Sequence, residues 1–298
     1  MEPHVGAKSA NVAQAVEMLR RAIDQQADLI VLPELSNSGY VLDSRSEAFD
    51  LAELIPAGPT CEEYLRTIRS TSVYVVAGVC EREGNRLYNT AVLLGPDGYI
   101  GKYRKIHLWD EERLFFEPGD HGLPVFHLPF GRVGALICYD AWFPETIRIL
   151  KLQGADIICD PTCWVLLPGV NDAAAALAPQ VHMVQAHMNN LFIVCADRCG
   201  VERGCAFIGS SCITGPNGFV AGPASDAAPQ FLMADINLTD ARYNHRSALS
   251  DLYGDRRIDV YDVDLGYHPL EHLSVRERRT HRTKSTRRLT RRPGGSLE

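Results

Sequence analysis

The 298-residue chain has no apolar run near the ~18 residues needed to cross a bilayer, so it is not read as membrane-spanning. Its start, MEPHVGAKSANVAQ, has no apolar core of the secretory kind, and the expectation is a protein that is not exported. The nine cysteines are odd in number and scattered through strand-like runs, which argues against a disulfide framework and for free thiols in a reducing compartment. A cytoplasmic location is therefore expected. No linker separates domains within the first 275 residues. At 46% hydrophobic and 22% charged the chain can bury a large core.

Positive charge is scarce overall, at 30 Lys and Arg against 37 Asp and Glu, but it is unevenly spread. From Arg276 onward nine basic residues face two glutamates, so the preceding 275 residues carry a net −14. A basic end could bind nucleic acid or acidic lipid. With few apolar residues to offset the entropy of ordering, 276–298 is read instead as a solvated, disordered tail.

What is present is an alternation of helical and strand patterns. Apolar residues recur at helical spacing from Asn11 to Gln26, and ADLIVLPE then reads as a buried strand. TSVYVVAGVCE, VGALICYD, ADIICDP and LFIVCAD are further strands; PETIRILKLQG and about Ala178 to Asn190 are helices. Two hairpin patterns, Asn89 to Lys105 around Pro-Asp-Gly and Gly209 to Pro223 around Pro-Asn-Gly, look like equivalents in two halves. This alternation predicts two sheets packed face to face with helices outside, an α/β fold.

Three polar residues follow apolar runs: Glu34 in DLIVLPELSNSGY, Lys105 in IGKYRKIHLWDEE and Cys138 in VGALICYDAWFPE. Strand ends are where α/β folds gather catalytic groups. A carboxylate base, an ammonium and a thiol suffice for acyl transfer. Taken alone, Cys138 is more often a small apolar core residue. Cys159-x3-Cys163 and Cys195-x3-Cys199 lack the close second pair of a structural zinc site, so no metal is expected. A Cys–His dyad is the rival arrangement should Glu34 lie far from Cys138.

These three segments, in this order, together with GADII and FIGSS, resemble the nitrilase superfamily of carbon–nitrogen hydrolases over about residues 5 to 262. The resemblance implies a single-domain, four-layer α-β-β-α sandwich over 1–275, with the first strand missing because Met1 stands where that strand would already have ended. It places the family's triad on Glu34, Lys105 and Cys138 and an assisting carboxylate on Glu112, with Glu111 as a competing assignment. No cofactor is implied, and a homodimer or higher homo-oligomer is expected. The implied reaction is thiol-dependent hydrolysis of a small carboxamide or N-carbamoyl compound through a Cys138 thioester. The Tyr139-Asp140 pair after the cysteine favours amides, with nitriles as the alternative; a catalytically silent scaffold is the competing non-enzyme class. Tyr40, Phe116, Tyr139, Trp142 and Trp164 are the candidate substrate-pocket residues.

Overall fold

The computed structural model describes residues 1–166, 176–224 and 229–265. Residues Met1–Asn244 form one compact unit, and 245–265 belong to a second. The first unit begins with helix α1 (Lys8–Asp24) and strand β1 (Leu29–Val31), followed by helices α2 (Arg45–Leu51) and α3 (Pro59–Ile68). Strands β2 (Tyr74–Glu83), β3 (Arg86–Gly95) and β4 (Gly98–Arg104) come next, then the single turn α4 (Glu112–Phe115). The second half runs β5 (Val125–Leu128), β6 (Gly131–Ala135), α5 (Pro144–Leu152), β7 (Ile157–Thr162), α6 (Ala178–Asn189) and β8 (Phe192–Asp197). It closes with β9 (Val201–Glu202), β10 (Cys205–Ala206), β11 (Cys212–Gly215) and β12 (Gly218–Ala221).

Two large sheets result, ordered β1-β2-β3-β4 and β12-β11-β8-β7-β6-β5, while β9 and β10 pair separately as a short two-stranded ribbon. The period-2 geometry of strands sorts the side chains into layers. In β2, Val75, Ala77 and Val79 face Ala15, Leu19, Tyr64 and Ile68 of α1 and α3. Val76 instead joins Ala91, Leu93 and Tyr103 against Val133, Ala135 and Ile157 of the other sheet. α6 covers the far face of that second sheet. The layers are therefore helix, sheet, sheet and helix, as expected. The β3–β4 and β11–β12 hairpins each occupy an edge of their sheet, which supports the reading of two related halves.

Among the described residues no strand pairs with the outer edge of β1, whose one partner is β2. That edge borders an apolar groove of about 450 Å³, walled by Phe130, Ile157, Val194 and Ile213 and by Phe231 to Leu238. The basic tail lies outside the described residues.

Candidate active site

Strand ends build the site. Lys105 directly follows β4, Cys163 and Trp164 directly follow β7, and Glu34 and Cys138 each lie three residues beyond β1 and β6. Both predicted strands stop short of their polar residue. Past β1 the chain passes Pro33 and turns through Leu35 at φ +45°, while past β6 it enters a 3-10 turn whose first residue, Cys138, has φ +50°. A left-handed conformation costs an ordinary L-residue about 1–2 kcal/mol, so surrounding bonds must hold it. The Cys138 N–H donates to Asp160 Oδ1, and Asp140 anchors the turn by accepting from Ile137 N and from Tyr103 Oη.

Glu34, Lys105 and Glu112 converge. Lys105 Nζ donates to Glu34 Oε1 at 2.6 Å and to Glu112 Oε1 at 2.7 Å, and all three residues are buried. Asn89 Nδ2 adds a second donor to Glu34 Oε1 at 2.7 Å, and Tyr40 Oη donates to Glu112 Oε1 at 2.7 Å. The other Glu112 oxygen accepts the Trp109 N–H. Glu111 is exposed, so Glu112 is the carboxylate that meets the lysine. Glu34 Oε2 is buried without a hydrogen-bond partner among the described residues.

The electrostatics follow from this packing. Burial pushes the Cys138 thiol well above the ordinary range, and the Glu34 charge pushes it further; Lys105 and a hydrogen bond from the Cys163 N–H pull the other way. Burial alone would lower Lys105, but the charges of Glu112 and Glu34 outweigh it and hold the ammonium protonated. Burial, with repulsion from Glu34, raises Glu112 to about 7 despite its bonds to Lys105 and Tyr40. The resting thiol is therefore neutral, beside an ammonium pinched between two carboxyl groups.

Cys138 is 7% exposed and opens on a small pocket of about 50 Å³. Trp109, Tyr139, Trp142, Trp164, Leu177 and Ile208 wall it, and no Asp, Glu, Lys or Arg lines it among the described residues. Of the residues expected at a substrate pocket, Tyr139, Trp142 and Trp164 line this one. Phe116 does not. It is 3% exposed and packs with Leu35, Leu42 and Leu108, because the α4 turn sends both Phe115 and Phe116 into that cluster. Tyr40 acts through its hydroxyl on Glu112 and packs edge-on to Phe207. Asn89, Trp109, Asp160, Cys163 and His182 were not singled out for the site. The detectable signal was a polar residue inside or opening an apolar strand, as in ADIICDP and NTAVLL.

Residues 1–244 match the family model for carbon–nitrogen hydrolases, and the chain belongs to that family. It is 42% identical to a nitrilase of Pyrococcus abyssi over 88% of this chain and 96% of that protein. It is 31% identical to an N-carbamoylputrescine amidase of Arabidopsis thaliana, covering 86% and 90% of the two chains. Among solved structures, a carbon–nitrogen hydrolase from Helicobacter pylori superposes with a TM-score of 0.79 at 27% identity, covering 89% of this chain and 96% of that one. The protein is accordingly an enzyme that hydrolyses amide or nitrile C–N bonds.

Proposed function

We propose that the protein is a thiol-dependent amidase acting on small carboxamides with an uncharged acyl group, with Cys138 as nucleophile. The observation that carries this reading is the buried Glu34–Lys105–Glu112 cluster beside Cys138, in which Glu34 Oε2 is left without a partner. That oxygen takes the thiol proton as the sulfur attacks the amide carbon. Negative charge develops on the carbonyl oxygen, where the Lys105 ammonium and the Tyr139 backbone N–H receive it; one such donor is worth about 3–4 kcal/mol in the transition state. Glu34 returns the proton to the leaving nitrogen, ammonia departs, and a thioester remains. Water then gives a proton to Glu34, with Glu112 positioning it, and attacks the thioester; the acid leaves and the thiol is restored. No step calls on a cofactor or metal.

The uncharged aromatic and aliphatic walls of the pocket support a neutral carboxamide over a charged N-carbamoyl substrate. The nitrilase relative at 42% identity favours a second reading, hydrolysis of the corresponding nitrile. A matched amide and nitrile pair, assayed for ammonia release, separates the two. Ammonia from the amide, with an acyl adduct on the Cys138 peptide by intact-protein and peptide mass spectrometry, is the expected result; an adduct elsewhere overturns the site.

All nine cysteines are free, which supports a reducing, cytoplasmic setting, and no helix among the described residues is long and apolar enough to cross a membrane. Exposed Ile149 and Leu152 of α5 and Val184 and Met188 of α6 support assembly of copies through the outer helices. Light scattering coupled to size-exclusion chromatography should show a dimer or larger species, and Met188→Glu should shift it toward monomer.

A further inference from the structure

The mechanism leaves a buried acid and a buried imidazole unused. Asp160 and His182 are both fully buried, and His182 Nε2 meets Asp160 Oδ2 at 2.6 Å. His182 Nδ1 lies 2.7 Å from the Ala178 carbonyl oxygen, which only accepts. Nδ1 must therefore carry a proton, and a second proton must sit between Nε2 and Oδ2 for that contact to be a hydrogen bond. The pair holds both and has no net charge. The remaining Asp160 oxygen accepts the Cys138 N–H. On its other side the imidazole lies against the Trp164 indole, with ring centroids 4.9 Å apart, and Trp164 and Ala178 are themselves pocket walls.

We propose that Asp160 and His182 form a positioning pair that locks Cys138 in its left-handed conformation and ties the nucleophile to the pocket wall. The inference rests on Cys138 being the nucleophile of the proposed reaction. Burial opposes charge on either member, and their mutual bond keeps the shared proton in place: Asp160 is raised by burial, and His182, lowered by burial, is raised beyond that by Asp160. The groups facing the pair are Asp140 from the turn after β6, Tyr103 of β4, Cys138, Cys159 of β7, Cys195 of β8 and Cys212 of β11. None of these is a cation, and Lys105, the cation beside the thiol, is already paired with Glu34 and Glu112, so loss of the shared proton at high pH adds negative charge next to the thiol and opposes its ionisation.

The test is the rate at which iodoacetamide labels Cys138 across pH in the intact protein, a readout that needs no substrate. At pH values where the thiol is fully ionised, Asp160→Ala should label markedly more slowly, because the released turn lets the sulfur leave the mouth of the pocket. His182→Ala should slow labelling in the same direction. Asp160→Asn preserves both hydrogen bonds, since its oxygen still accepts from Cys138 N–H and its amide can donate to a neutral imidazole. It should restore most of the labelling rate while shifting the pH curve to lower pH. Wild-type rates in Asp160→Ala or His182→Ala overturn the proposal. Should Asp160→Ala fail to fold by circular dichroism, an unshifted Asp160→Asn curve overturns it alone. Because the donor atoms of Asp160, His182 and Cys195 lie within 4.8 Å of one another, one zinc per purified chain, lost in His182→Ala, would also overturn it. Wild-type protein that labels as expected yet hydrolyses neither amide nor nitrile would defeat the amidase reading and leave the pair standing.

Discussion

Arg104 and Lys105 are neighbours in sequence, both about 1% exposed, and each ends in a buried cluster of opposite charge. The clusters differ in what they leave over. Arg104 Nε donates to Glu81 Oε2 at 3.1 Å, other guanidinium nitrogens reach Glu81, Glu83 and Asp120, and Thr90 Oγ1 donates to the same Glu81 oxygen at 2.6 Å. Lys102 also pairs with Glu81. Burial would raise the Glu81 carboxyl, yet the bonds to Arg104, Lys102 and Thr90 outweigh it and hold it below its ordinary value. One residue further on, Lys105 faces two carboxyl groups, one of which keeps a bare oxygen and the other of which is driven up to about 7. A satisfied cluster anchors a sheet. An unsatisfied one in the same fold leaves a bare carboxyl oxygen, the proton acceptor of the proposed reaction, and by that reading the contrast marks the site better than cavity size does: the groove beside β1 is far larger than the pocket at Cys138.

Substitutions test the contrast most sharply through activity. Cys138→Ala should lower kcat by a factor on the order of 10⁴–10⁶, as removing a covalent nucleophile does. Glu34→Gln should cost about 10²–10⁴ by removing the proton acceptor, and Lys105→Ala about 10²–10³ by removing an oxyanion donor. Steady-state kinetics on the best amide measure all three. Glu81→Ala should behave in the opposite way. Breaking a buried ion pair by removing one partner typically costs about 3–5 kcal/mol, so urea unfolding should show a large stability loss. Folded Glu81→Ala molecules should keep their turnover per labelled Cys138. If Glu81→Ala is stable but inactive, the division between the clusters is wrong.

The sequence carried most of this architecture and part of the site. Helix α1, strands β1, β2, β6, β7 and β8 and the β3–β4 and β11–β12 hairpins were legible from helical spacing, apolar runs and turn residues, with burial on both faces leaving ADIICDP and LFIVCAD as near-continuous apolar runs; β5, β9 and β10 are too short or too polar to stand out. Glu34, Lys105 and Cys138 were legible because each is polar at the end of such a run. Glu112 came with them only through the resemblance, and its exposed neighbour Glu111 shows why spacing alone could not choose. Asn89 and His182 were not legible, since their roles depend on which side chains meet across sheets: Asn89 and Glu34 are 55 residues apart, and His182 and Asp160 are 22. The left-handed turn at Cys138 was hidden too. The apolar pattern predicts a strand over VGALICYD, whereas the strand ends at Ala135 and hydrogen bonds to Asp140 and Asp160 bend the chain into the turn beyond it.

The subtlest difference between the clusters is the sign of their pH dependence. Glu81 has a folded pKa below its unfolded value, so its contribution is present above about pH 4.5 and is lost as pH falls. Glu112 is raised from 4.5 to about 7. The folded state therefore binds more protons between those values, and the stability this confers is full below pH 4.5 and lost as pH rises through 7. Melting temperatures measured from pH 4.5 to 8 should show the slope of wild type become more positive in Glu112→Gln, which has no carboxyl to ionise. In Glu81→Gln the same measurement, extended below pH 4.5, should show a weaker acid destabilisation. Turnover should follow the site and not the anchor: a step near pH 7 in kcat should vanish in Glu112→Gln and persist in Glu81→Gln. Equal slopes in the two variants would mean that Glu112 is as structural as Glu81 and does not position the water of the proposed reaction.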